Sequence, residues 1–162
     1  MKIQLKNVKY AAFASEETAC FEADIWVDGK KEGHVRNDGH GGCNWIEPMS
    51  LHDRIEAYAK TLPPMKLEFG GKVHEMEHSA DSYISEILED HLQEKELKKM
   101  LKAHLVGRRP DGAIIKTRKL TPVQMEQFCK AKVPMGEPKD KVVVLNYLPF
   151  EKALAFYRGA PA

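Results

Sequence analysis

The chain has 162 residues and a net charge of +1, with 43% hydrophobic and 30% charged residues. This length is enough for one domain with a sizeable core, and the composition is typical neither of disordered chains nor of membrane proteins. No apolar run reaches the roughly 18 residues of a spanning helix, and the first residues do not form a signal-peptide core, so we expect a cytoplasmic protein. The three cysteines are too few for a disulfide framework and are expected to be reduced thiols.

The first 37 residues predict three antiparallel strands. The first runs from Ile3 to Ala12, with a bulge at Asn7-Val8 where the alternation of apolar and polar residues slips. The second, Phe21 to Val27, alternates strictly and therefore has one apolar face. A tight turn at Asp28-Gly29 leads into the third strand, which ends at Asn37. We predict an antiparallel meander.

The middle of the chain predicts two helices and one strand. The first helix is expected to begin at a Ser50 cap and to stop before Pro63-Pro64. Met65 to Phe69 reads as a strand that Gly70-Gly71 interrupts. Apolar residues at helical spacing resume after Ser79, but their stripe shifts by about half a turn beyond Gln93. That shift predicts a bend or break in the second helix.

The last third predicts a hairpin, a short strand and two further helices. Arg108 to Gly112 contains the turn of the hairpin, and Thr121 caps a helix that has Pro122 as its first residue. The β-branched run Val142 to Leu145 is typical of a strand that is buried on both faces, and Pro149 opens the last helix. Because strands and helices do not alternate strictly, we predict a single α+β domain over residues 1–162, with four to five short helices.

The loop after the third strand is the first candidate site. Glycines at three positions permit unusual backbone angles there, so its N–H groups could converge on an anion, or the glycines could only let the chain turn and pass close to a neighbour. Tryptophan is favoured where protein partners bind. We predict a binding surface formed by Trp26, Asn37, Asp38, His40, Gly41, Gly42, Asn44 and Trp45.

Charges occur in blocks. Seven acidic residues and no lysine or arginine lie from His74 to Glu94, and a basic block follows. Either the two blocks neutralise each other, or the acidic block imitates a nucleic acid, or the basic block contacts phosphates. The candidate nucleic-acid contacts are Lys95, Lys98, Lys99, Lys102, Arg108, Arg109, Lys116, Arg118 and Lys119.

Two sets of residues suggest zinc. His74-Glu75-Met76-Glu77-His78 matches the H-E-x-x-H pattern, in which a helix presents two histidines to the metal and the glutamate activates water. However, Gly70-Gly71 and the cap near Ser79 argue that this segment is not helical. His34, His40 and Cys43 form a second set, without the spacing of a known zinc knuckle. A metal-dependent hydrolase is therefore an alternative, and no cofactor is the favoured expectation.

Two stretches resemble small uncharacterised proteins of phages and mobile elements. They are the strand pair that ends in Asn37-Asp38-Gly39-His40-Gly41-Gly42, and the run Leu145-Asn146 followed by Leu148 to Leu154. The resemblance implies a host-directed role, such as binding and inhibiting a bacterial defence or regulatory protein. It assigns no function to any residue.

The leading hypothesis from the sequence is a cytoplasmic binding protein without enzymatic activity that engages a host macromolecule through the loop after the third strand. Nucleic-acid binding and metal-dependent hydrolysis are the alternatives. The identity of the partner and the oligomeric state stay open.

Overall fold

The computed structural model describes residues 1–160, so the last two positions of the predicted 1–162 domain lie outside the described residues. The chain gathers into two compact units, unit 1 (Met1–His91) and unit 2 (from Leu92 onward). The α+β class is confirmed, with an N-terminal antiparallel meander, further hairpins and, within the described residues, four α-helices. Among the described residues, no helix is both long enough and apolar enough to cross a membrane.

Unit 1 is built on a four-stranded antiparallel sheet in the order β1 (Ile3–Tyr10), β2 (Phe21–Val27), β3 (Lys30–Asn37) and β4 (Trp45–Glu47). The expected bulge in β1 is confirmed by a register shift between Lys6 and Lys9. The meander has one strand more than predicted, because Trp45, expected in the loop, pairs with Arg36 as the first residue of β4.

Buried side chains lie on one face of this sheet and on the helices that follow it. The odd-numbered side chains of β2, Phe21 to Val27, are buried, and so are Leu51, Ile55 and Ala59 of α1 (Met49–Ala59). The next helix, α2 (Ala80–Ala103), adds Ala80, Ile84 and Leu88. The other face of the sheet carries charged residues and tryptophan.

The start of α1 differs from the prediction. The helix begins at Met49, with Pro48 at the cap position and no side-chain cap, so Ser50 lies inside the first turn. The amide of Leu51 bonds to the carbonyl of Pro48, which starts the helix one residue before the serine could cap it.

The second helix is not broken. Hydrogen bonding runs through α2 from Ala80 to Ala103, and the division between the two units falls within it. Ile84 and Leu88 are buried in unit 1, whereas Leu97 is buried in the core of unit 2. The shifted stripe therefore marks a change in what the helix packs against and does not mark a break.

Between α1 and α2, the chain forms a separate two-stranded hairpin. It consists of β5 (Met65–Phe69) and β6 (Lys72–Met76). Gly70 and Gly71, with φ of 60° and 73°, reverse the chain, so the expected single interrupted strand is wrong. Two adjacent residues with positive φ form the turn that closes a two-residue hairpin loop.

Unit 2 contains a three-stranded sheet and the remaining helices. The sheet order is β8 (Ile114–Lys116), β7 (Val106–Arg108) and β9 (Val143–Val144). The predicted β7–β8 hairpin is confirmed, and so is the Thr121 capping box of α3 (Pro122–Ala131). The last helix, α4 (Phe150–Tyr157), follows Pro149 as expected.

The predicted strand from Val142 to Leu145 is only two residues long. It lies at the edge of the sheet, and a 3₁₀ turn begins at Leu145. Leu145 and Leu154 nevertheless join the core of unit 2, so the apolar run signalled burial correctly but not its conformation.

Candidate functional site

The loop between β3 and β4 is held together by Asn37. Its side chain is 9% exposed, and its amide nitrogen donates to the Gly42 carbonyl at 3.0 Å and to Asn44 Oδ1 at 3.2 Å. Its Oδ1 accepts from the Thr18 hydroxyl and from the Gly39 amide, both at 2.9 Å. Asn37 therefore closes the loop internally, as buried polar groups must find partners.

Asn44 ties the end of the loop to the start of α2. Its amide N–H donates to Asp81 Oδ1 at 2.6 Å, and its side-chain nitrogen donates to the Asp81 carbonyl at 3.1 Å and to the Ser85 hydroxyl at 2.9 Å. These bonds fix where β4 begins. Both side chains are buried and bonded within unit 1, unlike the exposed contacts that the sequence suggested, and their role in binding stays a prediction.

The loop amides do not form an anion nest. The N–H groups of Gly39, His40 and Gly41 donate to side chains of unit 1, namely Asn37, Asp38 and Thr18. The Gly39 carbonyl in turn accepts from the amides of residues 16, 17 and 18. Gly39 and Gly41 thus allow the chain to pass close to Ala14 and Glu17, in line with the simpler of the two interpretations offered by the sequence, whereas Gly42 has open space around it.

The remaining predicted residues of the loop are exposed. Asp38, His40, Gly41 and Gly42 lie on the surface, and His40 Nδ1 is 3.4 Å from Glu16. Their role in binding stays a prediction.

Trp45 is the most accessible aromatic side chain of the predicted surface. It is 60% exposed although it belongs to a strand, because β4 alternates and places the buried Ile46 on the opposite face. Its indole N–H donates to Glu47 at 2.8 Å, and the Arg36 guanidinium lies 5.5 Å from the ring centroid. Both contacts hold the ring in one orientation.

Two shallow grooves border Trp45. The first, of about 400 Å³, lies towards α1 and is lined by Asn44, Trp45, Ile46, Glu47, Met49 and His52. The second, of about 540 Å³, lies towards the loop and is lined by Arg36, Asn37, Asp38, Gly42, Cys43 and Trp45. Met49, at the rim of the first groove, is 68% exposed. We call Arg36, Trp45, Glu47, Met49 and His52 the Trp45 surface.

Trp26 is less available than predicted. It points to the polar face of the sheet, but it is partly buried and the Lys6 ammonium lies 3.7 Å from its ring centroid. Its indole nitrogen is buried and has no hydrogen-bond partner. A partner would have to displace Lys6 to reach the ring.

A charge cluster occupies the centre of the polar face. Asp24 accepts from Lys31 and from the Asn7 amide, both at 2.8 Å, and His34 lies 3.6 Å away. The hydrogen bonds from Lys31 and Asn7 lower the pKa of Asp24 to about 2. Asp24 is thus ionised at all ordinary pH values and anchors its neighbours.

The H-E-x-x-H segment lacks the geometry of a zinc site. His74 and Glu75 lie on the exposed strand β6, whereas His78 follows the strand and is buried against Tyr83. The helix that the motif needs begins only at Ala80. His34 lies 3.6 Å from Asp24, and His40 lies beside Glu16, so the second set is also dispersed. Within residues 1–160, no three metal-ligating side chains are clustered.

The basic block lies in unit 2. Lys95, Lys98, Lys99 and Lys102 are exposed and recur at helical spacing, so they share one face of α2. Lys98 forms an ion pair with Glu94 and also lies over the Phe150 ring, 5.0 Å from its centroid. Arg108 donates to the Ala160 carbonyl at 2.5 Å, and Arg109, Lys116, Arg118 and Lys119 are exposed.

Arg36, Glu47, Met49 and His52, the other residues of the Trp45 surface, were missed by the sequence prediction. Arg36 was identifiable in principle, because it alternates with the apolar Val35 on β3 and therefore faces the same side as Trp45. Met49 had no comparable signal, since its exposure depends on where α1 begins.

The geometry thus defines an α+β protein with an exposed, firmly oriented tryptophan on the edge strand of a sheet. No protein-family model, curated protein or solved structure matches the chain. The resemblance to phage and mobile-element proteins therefore stays a prediction.

Proposed function

We propose that the protein acts by binding a partner protein through the Trp45 surface. The observation that supports this proposal is the exposure of Trp45 between two grooves, next to an even more exposed Met49. Tryptophan is enriched among the residues that contribute most to binding energy, and methionine is enriched at interfaces. An apolar side chain of the partner would fill the groove beside each of them.

The Trp45 surface is organised before any partner arrives. Arg36 and Trp45 are cross-strand neighbours, Glu47 accepts from the indole, and the bonds of Asn44 to α2 fix the preceding residue. Ordering a flexible side chain costs roughly 0.5–1.5 kcal/mol on association. Because this ring is already held, less of that cost falls on binding.

The charges near Trp45 favour a protein partner over a nucleic acid. Arg36 is accompanied by the carboxylates of Asp38 and Glu47, and a phosphate backbone would be repelled by them. On the resemblance to phage and mobile-element proteins, we further propose that the partner is a bacterial host protein with a defence or regulatory role, met in the host cytoplasm and inhibited by occupation of its surface.

The test is a quantitative capture from bacterial lysate, followed by affinity measurement with the purified partner. We expect Trp45→Ala to weaken binding by at least 30-fold, the range of an interface hot spot, and Met49→Ala by a smaller factor. Phe13→Ala is the matched control, because Phe13 is an exposed aromatic residue outside the Trp45 surface. A partner that binds the Trp45 and Met49 variants with wild-type affinity would refute the proposal.

The lysine face of α2 supports a second candidate function, contact with a nucleic-acid backbone. Its supporting observation is the shared face of four exposed lysines described above. We expect Lys99→Glu together with Lys102→Glu to abolish binding of a labelled oligonucleotide in low salt, and we expect Lys130→Glu with Lys132→Glu to have little effect. Absence of oligonucleotide binding by the wild type at low salt would remove this candidate.

A further inference from the structure

The β5–β6 hairpin is a separate two-stranded sheet whose outer strand edges are unpaired among the described residues. Both strands are exposed along nearly their whole length, and β5 pairs only with β6 among the described residues. Its apolar side chains are also on the surface, with Phe69 81% and Leu67 45% exposed. An isolated two-stranded hairpin is marginally stable in water, and a strand with unpaired backbone groups is a template for another strand.

The register of the hairpin determines which backbone groups are available. Its loop has two residues, so the flanking pair, Phe69 and Lys72, is a hydrogen-bonded pair, and such pairs alternate along an antiparallel ladder. Residues 65, 67 and 69 therefore direct their N–H and C=O groups towards β6. Lys66 and Glu68 direct theirs to the open edge.

We propose that a second copy of this chain adds its own β5 to that edge, antiparallel, about a two-fold axis at Leu67. In this register Lys66 lies opposite the partner's Glu68, and Glu68 lies opposite the partner's Lys66. These are the residues whose backbone groups point outward, so the two pairs with opposite charges are also the hydrogen-bonded pairs. Leu67 meets its own copy, and Met65 meets the partner's Phe69.

Other registers and the other edge are less favourable. A two-fold axis at Lys66 or at Glu68 would place like charges opposite each other, which destabilises a strand pair. Along β6, the corresponding two-fold axis lies at His74. It places Val73 opposite the partner's Glu75 and His74 opposite its own copy, so it forms no pair of opposite charges. Only β5 combines outward backbone groups with complementary side chains, and this self-complementarity is the isologous property that a two-fold interface requires.

The proposed pairing also explains the apolar face of the hairpin. Met65, Leu67 and Phe69 lie on the same face as Met76, which pairs with Met65. Joining two hairpins gives a four-stranded sheet in which the leucines and the Met65–Phe69 pairs are in contact. Three or more strands with an apolar face form a stable sheet where one hairpin does not. This inference is independent of the Trp45 surface.

Sedimentation of the full-length protein over a range of concentrations tests the proposal. We expect a reversible monomer–dimer equilibrium for the wild type, and an association weakened by about 10-fold or more in Glu68→Lys, because lysines then face lysines at both charge pairs. Lys66→Glu should act likewise. Lys72→Glu, which makes the same change in net charge as Lys66→Glu but on β6, is the control and should dimerise like the wild type.

Mixing the two charge variants gives the sharpest test. The Lys66→Glu edge carries two glutamates and the Glu68→Lys edge two lysines, so a mixture restores opposite charges at both pairs and should form a heterodimer as tight as the wild-type dimer. Circular dichroism of each variant controls for folding. A wild type that is monomeric at every concentration would overturn the proposal, as would dimers that Glu68→Lys leaves unchanged or a mixture that associates no better than its components.

Discussion

The loop between β3 and β4 and the β5–β6 hairpin both turn on glycines and both carry many polar residues, yet they differ in where their polar groups find partners. In the loop, Asn37 and Asn44 bond to Gly42, Asp81 and Ser85 within unit 1. In the hairpin, the side chains are exposed on both strands. Polar composition alone therefore does not distinguish a closed structural loop from an open edge. The two are distinguished by whether the folded chain supplies hydrogen-bond partners for these polar groups.

The largest effect should appear when alanine replaces a tightly packed glycine of the loop. At Gly39, φ is +88° and an added Cβ would overlap the Ala14 carbonyl oxygen, so we expect Gly39→Ala to lower the free energy of unfolding by about 3 kcal/mol. Gly42→Ala, in the same loop but with open space around it, should change that free energy by less than about 0.5 kcal/mol. Urea denaturation measures both, and equal effects would contradict the described loop.

Asn44→Ala should have the next largest effect. It removes the side-chain bonds to Asp81 and Ser85 and leaves buried groups without partners, so we expect a loss of about 2 kcal/mol in the free energy of unfolding. Asp38→Ala, an exposed position in the same loop, is the matched control and should be nearly neutral. If the two variants are equally stable, Asn44 does not anchor β4 to α2.

The polar face of the sheet should respond to acid. The folded-state pKa of Asp24 is about 2, below its ordinary value of 3.8, so its contribution is complete above about pH 4 and is lost as the pH falls through 2. We therefore expect urea denaturation to show a smaller loss of stability between pH 4 and pH 2 in Asp24→Asn than in the wild type. The exposed Asp38→Asn should follow the wild type. Parallel pH profiles for all three proteins would show that Asp24 makes no such contribution.

The smallest effect is expected in the hairpin. Phe69→Ser removes a large apolar side chain that is almost fully exposed in the monomer, so we expect less than about 0.5 kcal/mol of destabilisation at concentrations where the chain is monomeric. Phe21→Ser, at a buried position of β2, should cost several kcal/mol. Calorimetry of dilute samples compares them, and a large effect of Phe69→Ser would show that the hairpin is packed.

Local sequence patterns predicted the structure correctly where the stabilising contacts join residues that are close in sequence. The period-two alternation of β2, the bulge in β1 and the Thr121 capping box all involve residues close in sequence, and the structure confirms them. The position of Trp45 on a strand was not foreseen, because β4 is only three residues long and follows a glycine-rich loop.

The sequence predictions fail where the conformation or burial of a residue depends on residues far away in the chain. The burial of Asn44 could not be predicted, because its partners, Asp81 and Ser85, are 37 and 41 residues away in the chain. The shifted apolar stripe of α2 suggested a break, since no local signal shows that the two halves of a helix pack into different cores. At Gly70-Gly71, the sequence permits both an interrupted strand and a turn.

The central claim is that the polar groups of the β3–β4 loop are bonded within the protein, which leaves Trp45 as the side chain presented to a partner. Residue-resolved amide hydrogen exchange tests it most directly, in dilute solution so that the hairpin edges are unpaired. We predict slow exchange at Gly39, at Asn44 and at residues 16–18, and fast exchange at Lys66 and Glu68. Fast exchange throughout the loop would contradict the account.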